Sequence, residues 1–452
     1  MKNWFSSAIF YHIYPLGLCG APYRNDFNAL SVPRLEQLYC WLEHIQSLGA
    51  NTIYLGPLFE SGTHGYDTAD YYHVDRRLGS DETLVNLSKE MHEGGLRLVL
   101  DGVFNHVGRD FWAFRDVLAN RERSAYRDWF TNLRFDQRSP YNDPFSYEGW
   151  NGHYELVKLN LRNSAVKEHL FGAVASWIKG FKIDGLRLDA ADCLDFDFIK
   201  ELAAFCHKQR SDFWLMGEVI HGDYRRWVNS EMLDSVTNYE VYKSLYSSHV
   251  DHNYFEIAYA LNRQFGPDGV YQGLSFYAFA DNHDVNRVAS SLTNPAHLYP
   301  LYCLLFSMPG LPSIYYGSEW GINGKKTRYS DLPLRPQLNL EEAIHSAPQP
   351  RLPVDLARLA GIRKSSVALQ EGNYQQLLVQ SEQLAFMRQA GAERVIVAVN
   401  AAEKPATVRI KLPFGFNNRL KDLLNSGAEF QSTSAGELSV EIPACWGRFL
   451  KG

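Results

Sequence analysis

The sequence predicts an α/β chain built as a (β/α)8 TIM barrel, with a small domain inserted after strand 3 and a C-terminal antiparallel β-sandwich. Three observations predict it. Short apolar runs, Leu96 to Leu100, Phe181 to Leu188, Phe213 to Met216 and Leu274 to Phe279, each lead into carboxylates or histidines. Polar chemistry repeated at the carboxyl ends of successive buried strands marks a parallel barrel whose site is built there. Between these runs, strand-like and helix-like stretches alternate until the count reaches eight, as closure requires. From Tyr374 onward the text changes to short strands separated by Gly, Asn and Pro turns.

Taken in order, Ala8 to Tyr14 reads as the first strand, closed by Pro15 and the turn Gly17 to Gly20. Pro33 to Ser47 is expected to be a helix, because Leu35, Leu38, Trp41, Leu42 and Ile45 recur at helical spacing. Asn51 to Gly56 is strand two, followed by the polar and aromatic loop His64 to Tyr72. Asp81 to Gly94 is the second helix and strand three ends at Asp101. From Val107 to about Lys158 the alternation stops. A structureless connection of that length does not suit a compact domain, so an inserted unit or lid is expected there. Ala165 to Gly180 resumes the rhythm as helix three, before the central strand. The remaining barrel elements are Asp197 to Lys208 (helix), Phe213 to Glu218 (strand five), Ser235 to Asn238 (strand six), Tyr254 to Phe265 (helix), Phe276 to Ala280 (strand seven), His297 to Phe306 (helix) and Pro312 to Tyr316 (strand eight). Domain limits follow: 1–106 and 159–371 for the barrel, 107–158 for the insert, and 372–452 for the sandwich, with strands at Gln376 to Gln380, Arg394 to Asn400 and Thr407 to Leu412.

Composition allows this size. A 45% hydrophobic content with 26 Tyr, 26 Phe and 10 Trp supplies a large core, and some rings could stack on sugar faces. The net charge of −6, 45 basic against 51 acidic residues, points to neither nucleic acid nor an anionic membrane as partner. Six cysteines are scattered without metal-type or framework spacing, which implies free thiols in a reducing compartment. His12 and Pro15 interrupt the only apolar run near the start, so no signal peptide is read, and no run is long enough to span a bilayer. A cytoplasmic protein is expected.

The candidate chemistry centres on Gly185-Leu186-Arg187-Leu188-Asp189. Side chains on a strand alternate between faces, so Arg187 and Asp189 point the same way. The guanidinium is expected to keep that carboxylate ionised, as a nucleophile requires. Three other stretches join it: Asp101-Gly102-Val103-Phe104-Asn105-His106, Gly217-Glu218-Val219-Ile220-His221 and Ala280-Asp281-Asn282-His283-Asp284.

With all four stretches present in this order, the sequence resembles the α-amylase family of glycoside hydrolases and transglycosidases over nearly its whole length. The resemblance implies Asp189 as nucleophile, Glu218 as general acid and base, and Asp284 as the carboxylate that grips the reacting sugar. It implies sugar contacts from Tyr66, His106, Arg187, His283, His221 and Lys158, and makes Asp101 a structural partner of Arg187. Cleavage through an oxocarbenium-like transition state needs one carboxylate to attack and one acid to protonate the leaving oxygen. Glu218 is then expected to be protonated, favoured by the negative charge of Asp189 and Asp284, with Arg187 reaching it less strongly than it reaches the nucleophile.

Three departures refine the resemblance. Many family members follow the nucleophile motif with Lys-His, which binds the reducing side of the substrate and a structural calcium; here Asp192 and Cys193 stand there. No cofactor is therefore expected, although Asn105 matches a family calcium ligand. Val157-Lys158-Leu159-Asn160 and Glu218-x-x-His221 resemble the neopullulanase and cyclomaltodextrinase branch. That branch usually has Trp at Ile220 and carries an N-terminal domain, which is absent here, so its dimer is not implied. The activity expected is retaining hydrolysis of α-1,4 bonds in maltooligosaccharides or cyclodextrins. The alternatives are a 4-α-glucanotransferase-like transglycosidase, an α-glucosidase and, more remotely, an inactive binding protein.

Overall fold

The computed structural model describes residues 3–413, 416, 419–425 and 427–452. Along the chain the first strands are β1 (Phe10–Ile13), β2 (Thr52–Leu55) and β3 (Arg97–Gly102). Then come β4 (His106–Gly108), β5 (Gly149–Trp150) and β6 (His153–Lys158), followed by β7 (Gly185–Leu188), β8 (Trp214–Gly217), β9 (Ser235–Val236), β10 (Tyr277–Phe279) and β11 (Leu311–Tyr315). All but β4–β6 form one eight-stranded sheet in the order β10-β11-β1-β2-β3-β7-β8-β9. Its neighbours pair in parallel, and a parallel bridge between Thr237 and Tyr277 joins the two ends into a barrel.

Alternation along the strands sorts the side chains. Phe10, Tyr54, Val99, Trp214, Met216 and Tyr277 fill the barrel interior, whereas Ile53, Leu98, Leu100, Leu186 and Leu188 belong to the layer under the helices. Asp101 follows Val99, Asp189 follows Arg187 and Glu218 follows Met216 at two-residue intervals, so all three carboxylates face the barrel axis.

The expected helix Pro33 to Ser47 is two elements, a 3-10 turn at Arg34–Leu38 and an α-helix at Tyr39–Ser47. Both geometries place apolar residues three apart on one face, so spacing alone does not separate them. The helix Ser164–Ser176 runs into a π-turn at Trp177–Phe181 that ends at Lys182 in the left-handed region. A helix at Tyr239–Val250 was not legible, because its buried face carries Ser244, Ser247, Ser248 and His249 instead of an aliphatic stripe.

The stretch after β3 holds an antiparallel sheet of order β4-β6-β5 and a helix, Trp112–Asn120, where the sequence showed no clean helix. At the C-terminus, β12 (Asn373–Val379), β13 (Gln383–Ala390), β14 (Glu393–Asn400), β15 (Ala406–Lys411), β16 (Arg419–Asp422), β17 (Glu429–Gln431), β18 (Glu437–Ile442) and β19 (Trp446–Lys451) form a six-stranded and a two-stranded sheet. Ala385, Ile396 and Ala398 on one face Val408, Ile410, Leu438 and Val440 on the other, which makes the sandwich core.

A buried arginine of the sandwich reaches the barrel, and a buried arginine of the barrel binds backbone beside its contact. Arg388 of β13 donates to the carbonyls of Ser307 and Gly372, and Arg363 donates to those of Phe306, Met308 and Gly310. All of these carbonyls except that of Gly372 lie at the end of the helix Leu298–Ser307 and in the turn to β11, where the helix dipole is negative. All six cysteines are unpaired. Among the described residues no helix is long and apolar enough to cross a membrane.

Candidate active site

At the carboxyl ends of β3, β7 and β8, one guanidinium holds three carboxylates. Arg187 Nη1 lies 2.8 Å from Asp101 Oδ1 and 2.8 Å from Asp189 Oδ1, and Nη2 lies 2.9 Å from Glu218 Oε2. The sequence reading had Arg187 reaching Glu218 less strongly, and the structure corrects this. Arg187 sits on the strand between β3 and β8, and its planar fork spans both neighbours as well as its own strand end. Gly56, just past β2, allows the close packing here, since a Cβ at that position would fall 2.4 Å from Asp101 Cβ. Ala190 adopts the left-handed region, with φ 44°, and its N–H donates to Glu218 Oε2 at 3.1 Å. A non-glycine residue in that region is strained, and here the strain aims a donor at Glu218.

Burial pushes the Asp189 carboxyl well above the usual carboxylate range; Arg187 pulls it down, and Glu218, Asp101 and Asp284 push it up again. Arg187 thus favours the ionised form, as expected, but works against burial and three neighbouring carboxylates.

Across the mouth, His283 Nε2 lies 2.9 Å from Asp284 Oδ2, and Arg335 Nη2 donates to Asp284 Oδ1 at 2.9 Å. Burial alone would raise the Asp284 carboxyl, but His283 and Arg335 outweigh it and hold it well below the usual range. Tyr66 stacks on His283, with ring centroids 5.4 Å apart, contacts His283 Nε2 through its hydroxyl, and donates to Asp101 Oδ2 at 3.0 Å. Tyr239 Oη donates to Glu218 Oε1 at 3.3 Å and accepts from Asn282 Nδ2 at 3.3 Å. Tyr239 and Arg335 were missed by sequence reasoning, and no motif around either signals it.

His106 is buried, with Nε2 unpaired and 3.9 Å from Asp189 Oδ2. Burial, helped by His64, lowers its pKa to about 3, so it is neutral and free to donate to a sugar hydroxyl. Lys158 pairs in register with His106 across β4 and β6, and its Nζ binds Glu148 Oε1 at 2.6 Å. His221 is exposed on the loop after Glu218. Asn105 Nδ2 faces His106 Nδ1 at 3.2 Å, and among the described residues no group of three or more His, Cys, Asp or Glu is arranged to hold a metal.

Residues 35–385 match the family described as "Alpha amylase, catalytic domain". The chain belongs to the α-amylase family. A cyclomaltodextrinase of Bacillus sp is 30% identical over 429 residues, covering 90% of this chain and 75% of the relative. Several solved structures match over 100% of both chains, among them these two. One is the debranching enzyme of Nostoc punctiforme, with a TM-score of 0.85 and 28% identity. The other is the cyclic alpha-maltosyl-(1→6)-maltose hydrolase of Arthrobacter globiformis, with a TM-score of 0.82 and 27% identity. In this α-amylase-family barrel Asp189, Glu218, Asp284, His106, Arg187 and His283 of the four stretches, and Tyr66 of the loop His64 to Tyr72, converge on one mouth, whereas His221 lies exposed outside it.

Proposed function

We propose that the chain is a retaining glycoside hydrolase that cleaves α-1,4-glucosidic bonds of maltooligosaccharides or cyclodextrins by double displacement. The observation that carries this reading is the single Arg187 guanidinium bonded to Asp101, Asp189 and Glu218, opposite Asp284. The pair Asp189 and Glu218 supplies one nucleophile and one proton. With the proton on Glu218, Asp189 attacks the anomeric carbon while Glu218 protonates the departing oxygen; Glu218 then removes a proton from water as the covalent intermediate is hydrolysed. Asp284, His283 and the neutral His106 bind the hydroxyls of the reacting ring, and Tyr66 provides its apolar floor. No metal or cofactor takes part in this scheme. The six unpaired cysteines suit a cytoplasmic setting.

Proton NMR of the first product tests the mechanism: the α-anomer is expected, and an initial β-anomer would overturn the assignment of Asp189. Chromatography of products from maltotriose, cyclodextrin, starch, pullulan and sucrose tests the substrate. A second reading, cleavage at branch links, is favoured by the name of the debranching enzyme of Nostoc punctiforme, which matches over its full length. Pullulan separates the readings by the position at which it is cut.

A further inference from the structure

The catalytic mouth lies at the carboxyl ends of the barrel strands, and a second cavity lies at their other ends, where barrel and sandwich meet. Its volume is about 580 Å³, within the range of about 300–1,000 Å³ typical of small-molecule sites. Ser275, shortly before β10, and Pro309, shortly before β11, line it from the barrel; Tyr374 of β12 and Arg388 of β13 line it from the sandwich. None of these residues enters the scheme above.

Tyr374 and Arg388 are direct partners in the β12–β13 register, so their side chains stand on one face of the sheet. Both are buried, at 2% and 1% exposure. A guanidinium has five N–H hydrogens. Arg388 gives three of them to backbone, from Nε and Nη2 to the Gly372 carbonyl and from Nη1 to that of Ser307, so one hydrogen on each terminal nitrogen stays unused among the described residues. Tyr374 Oη is buried without a hydrogen-bond partner, and burial raises its pKa, so it keeps its hydrogen as a donor. Two neighbouring side chains on the cavity wall thus hold three spare donor hydrogens.

Charge is out of balance in the same place. Burial works against the charged form of Arg388, the like charge of Arg363 adds to this, and no carboxylate pairs with Arg388 among the described residues. The one carboxylate among the described residues lining the cavity, Glu371, is exposed. A buried charge without a counter-charge is costly, and an anion in the cavity would supply the missing charge and the missing acceptor together.

We propose that this cavity is a binding site for an oxyanion, either free phosphate or the phosphate group of a small ester, held by the spare N–H groups of Arg388 and the Tyr374 hydroxyl. The volume beyond the head group leaves room for the body of an ester as large as a sugar phosphate. Such a ligand would bridge barrel and sandwich, because Arg388 already reaches the Ser307 carbonyl of the barrel.

Titration calorimetry of the full chain with inorganic phosphate, glucose 6-phosphate and glucose tests this. Both phosphates are expected to bind and glucose to give no heat; a tighter ester identifies an ester site, and equal affinities a site for the free ion. Arg388→Gln should abolish binding. Tyr374→Phe removes one hydroxyl and no charge, and should weaken binding about tenfold or more, so it decides the matter should Arg388→Gln fail to fold. Absence of heat at about 10 mM of either phosphate overturns the proposal, as does glucose binding as well as its phosphate, or an affinity that Tyr374→Phe leaves unchanged. Repeating the titration on Glu218→Gln protein saturated with maltotriose separates the two ends of the barrel: unchanged binding is expected, and displacement by the sugar would put the ion in the catalytic mouth and overturn the proposal.

Discussion

Replacing Arg187 with lysine keeps the charge and removes the geometry, which makes it a severe test of the site. The guanidinium makes three charge-assisted contacts of 2.8, 2.8 and 2.9 Å to Asp101, Asp189 and Glu218, and is 3% exposed. A single ammonium on a flexible stem cannot span three strand ends, so about two of the contacts are lost. Hydrogen bonds to charged groups contribute about 1.5–3 kcal/mol each, so kcat/KM should fall by about two to four orders of magnitude. The pH profile should move as well. Arg187 is the group that lowers the Asp189 pKa against burial and neighbouring carboxylates. Weakening its hold raises that pKa further, so the ionised nucleophile is lost earlier as pH falls and the acid limb shifts to higher pH. The assay is release of 4-nitrophenol from an aryl maltoside across pH, with circular dichroism to confirm folding. A folded variant within threefold of the parent, with an unmoved acid limb, would refute the role of the fork.

Other outcomes follow from the same geometry. Glu218→Gln should keep the fold and substrate binding while nearly abolishing turnover of maltotriose, since general acid catalysis contributes about a hundred- to ten-thousandfold; activity within tenfold, measured by reducing-sugar release, would remove it from that role. Lys158→Ala breaks the 2.6 Å pair with Glu148 beside His106, and should change the ratio of kcat/KM on maltotriose to that on starch more than it changes cleavage of an aryl glucoside. Since Asp192 and Cys193 replace the residues that hold calcium in many relatives, activity should survive excess EDTA; loss restored by added calcium would show a metal site.

The parts of this site that were legible sit at strand ends. Asp189, Glu218 and Asp101 stand two residues beyond inward-facing neighbours on buried strands, and alternation fixes where such side chains go. Arg335 was not legible because it acts on Asp284 from 51 residues away in sequence, out of a loop with no periodicity of its own. The reach of Arg187 to Glu218 was underestimated for a different reason: pairing along one strand is visible in sequence, whereas contacts between adjacent strands depend on register.

The two arginines at the end of the helix Leu298–Ser307 decide how far this chain can be taken apart. Among the described residues neither has a carboxylate partner; burial lowers the Arg363 pKa to about 10 and lowers that of Arg388 more strongly. What satisfies them is backbone, and apart from Gly372 that backbone leads straight into β11, the strand next to β1 and β10 in the barrel wall. Cutting the chain before residue 372 would strip Arg388 from the Ser307 carbonyl and bare the apolar flank under it. The C-terminal sandwich thus reaches, through Arg388, the helix end that leads into the last barrel strand. Chimeras with sandwiches from relatives should fold only when an arginine is kept at the position of Arg388.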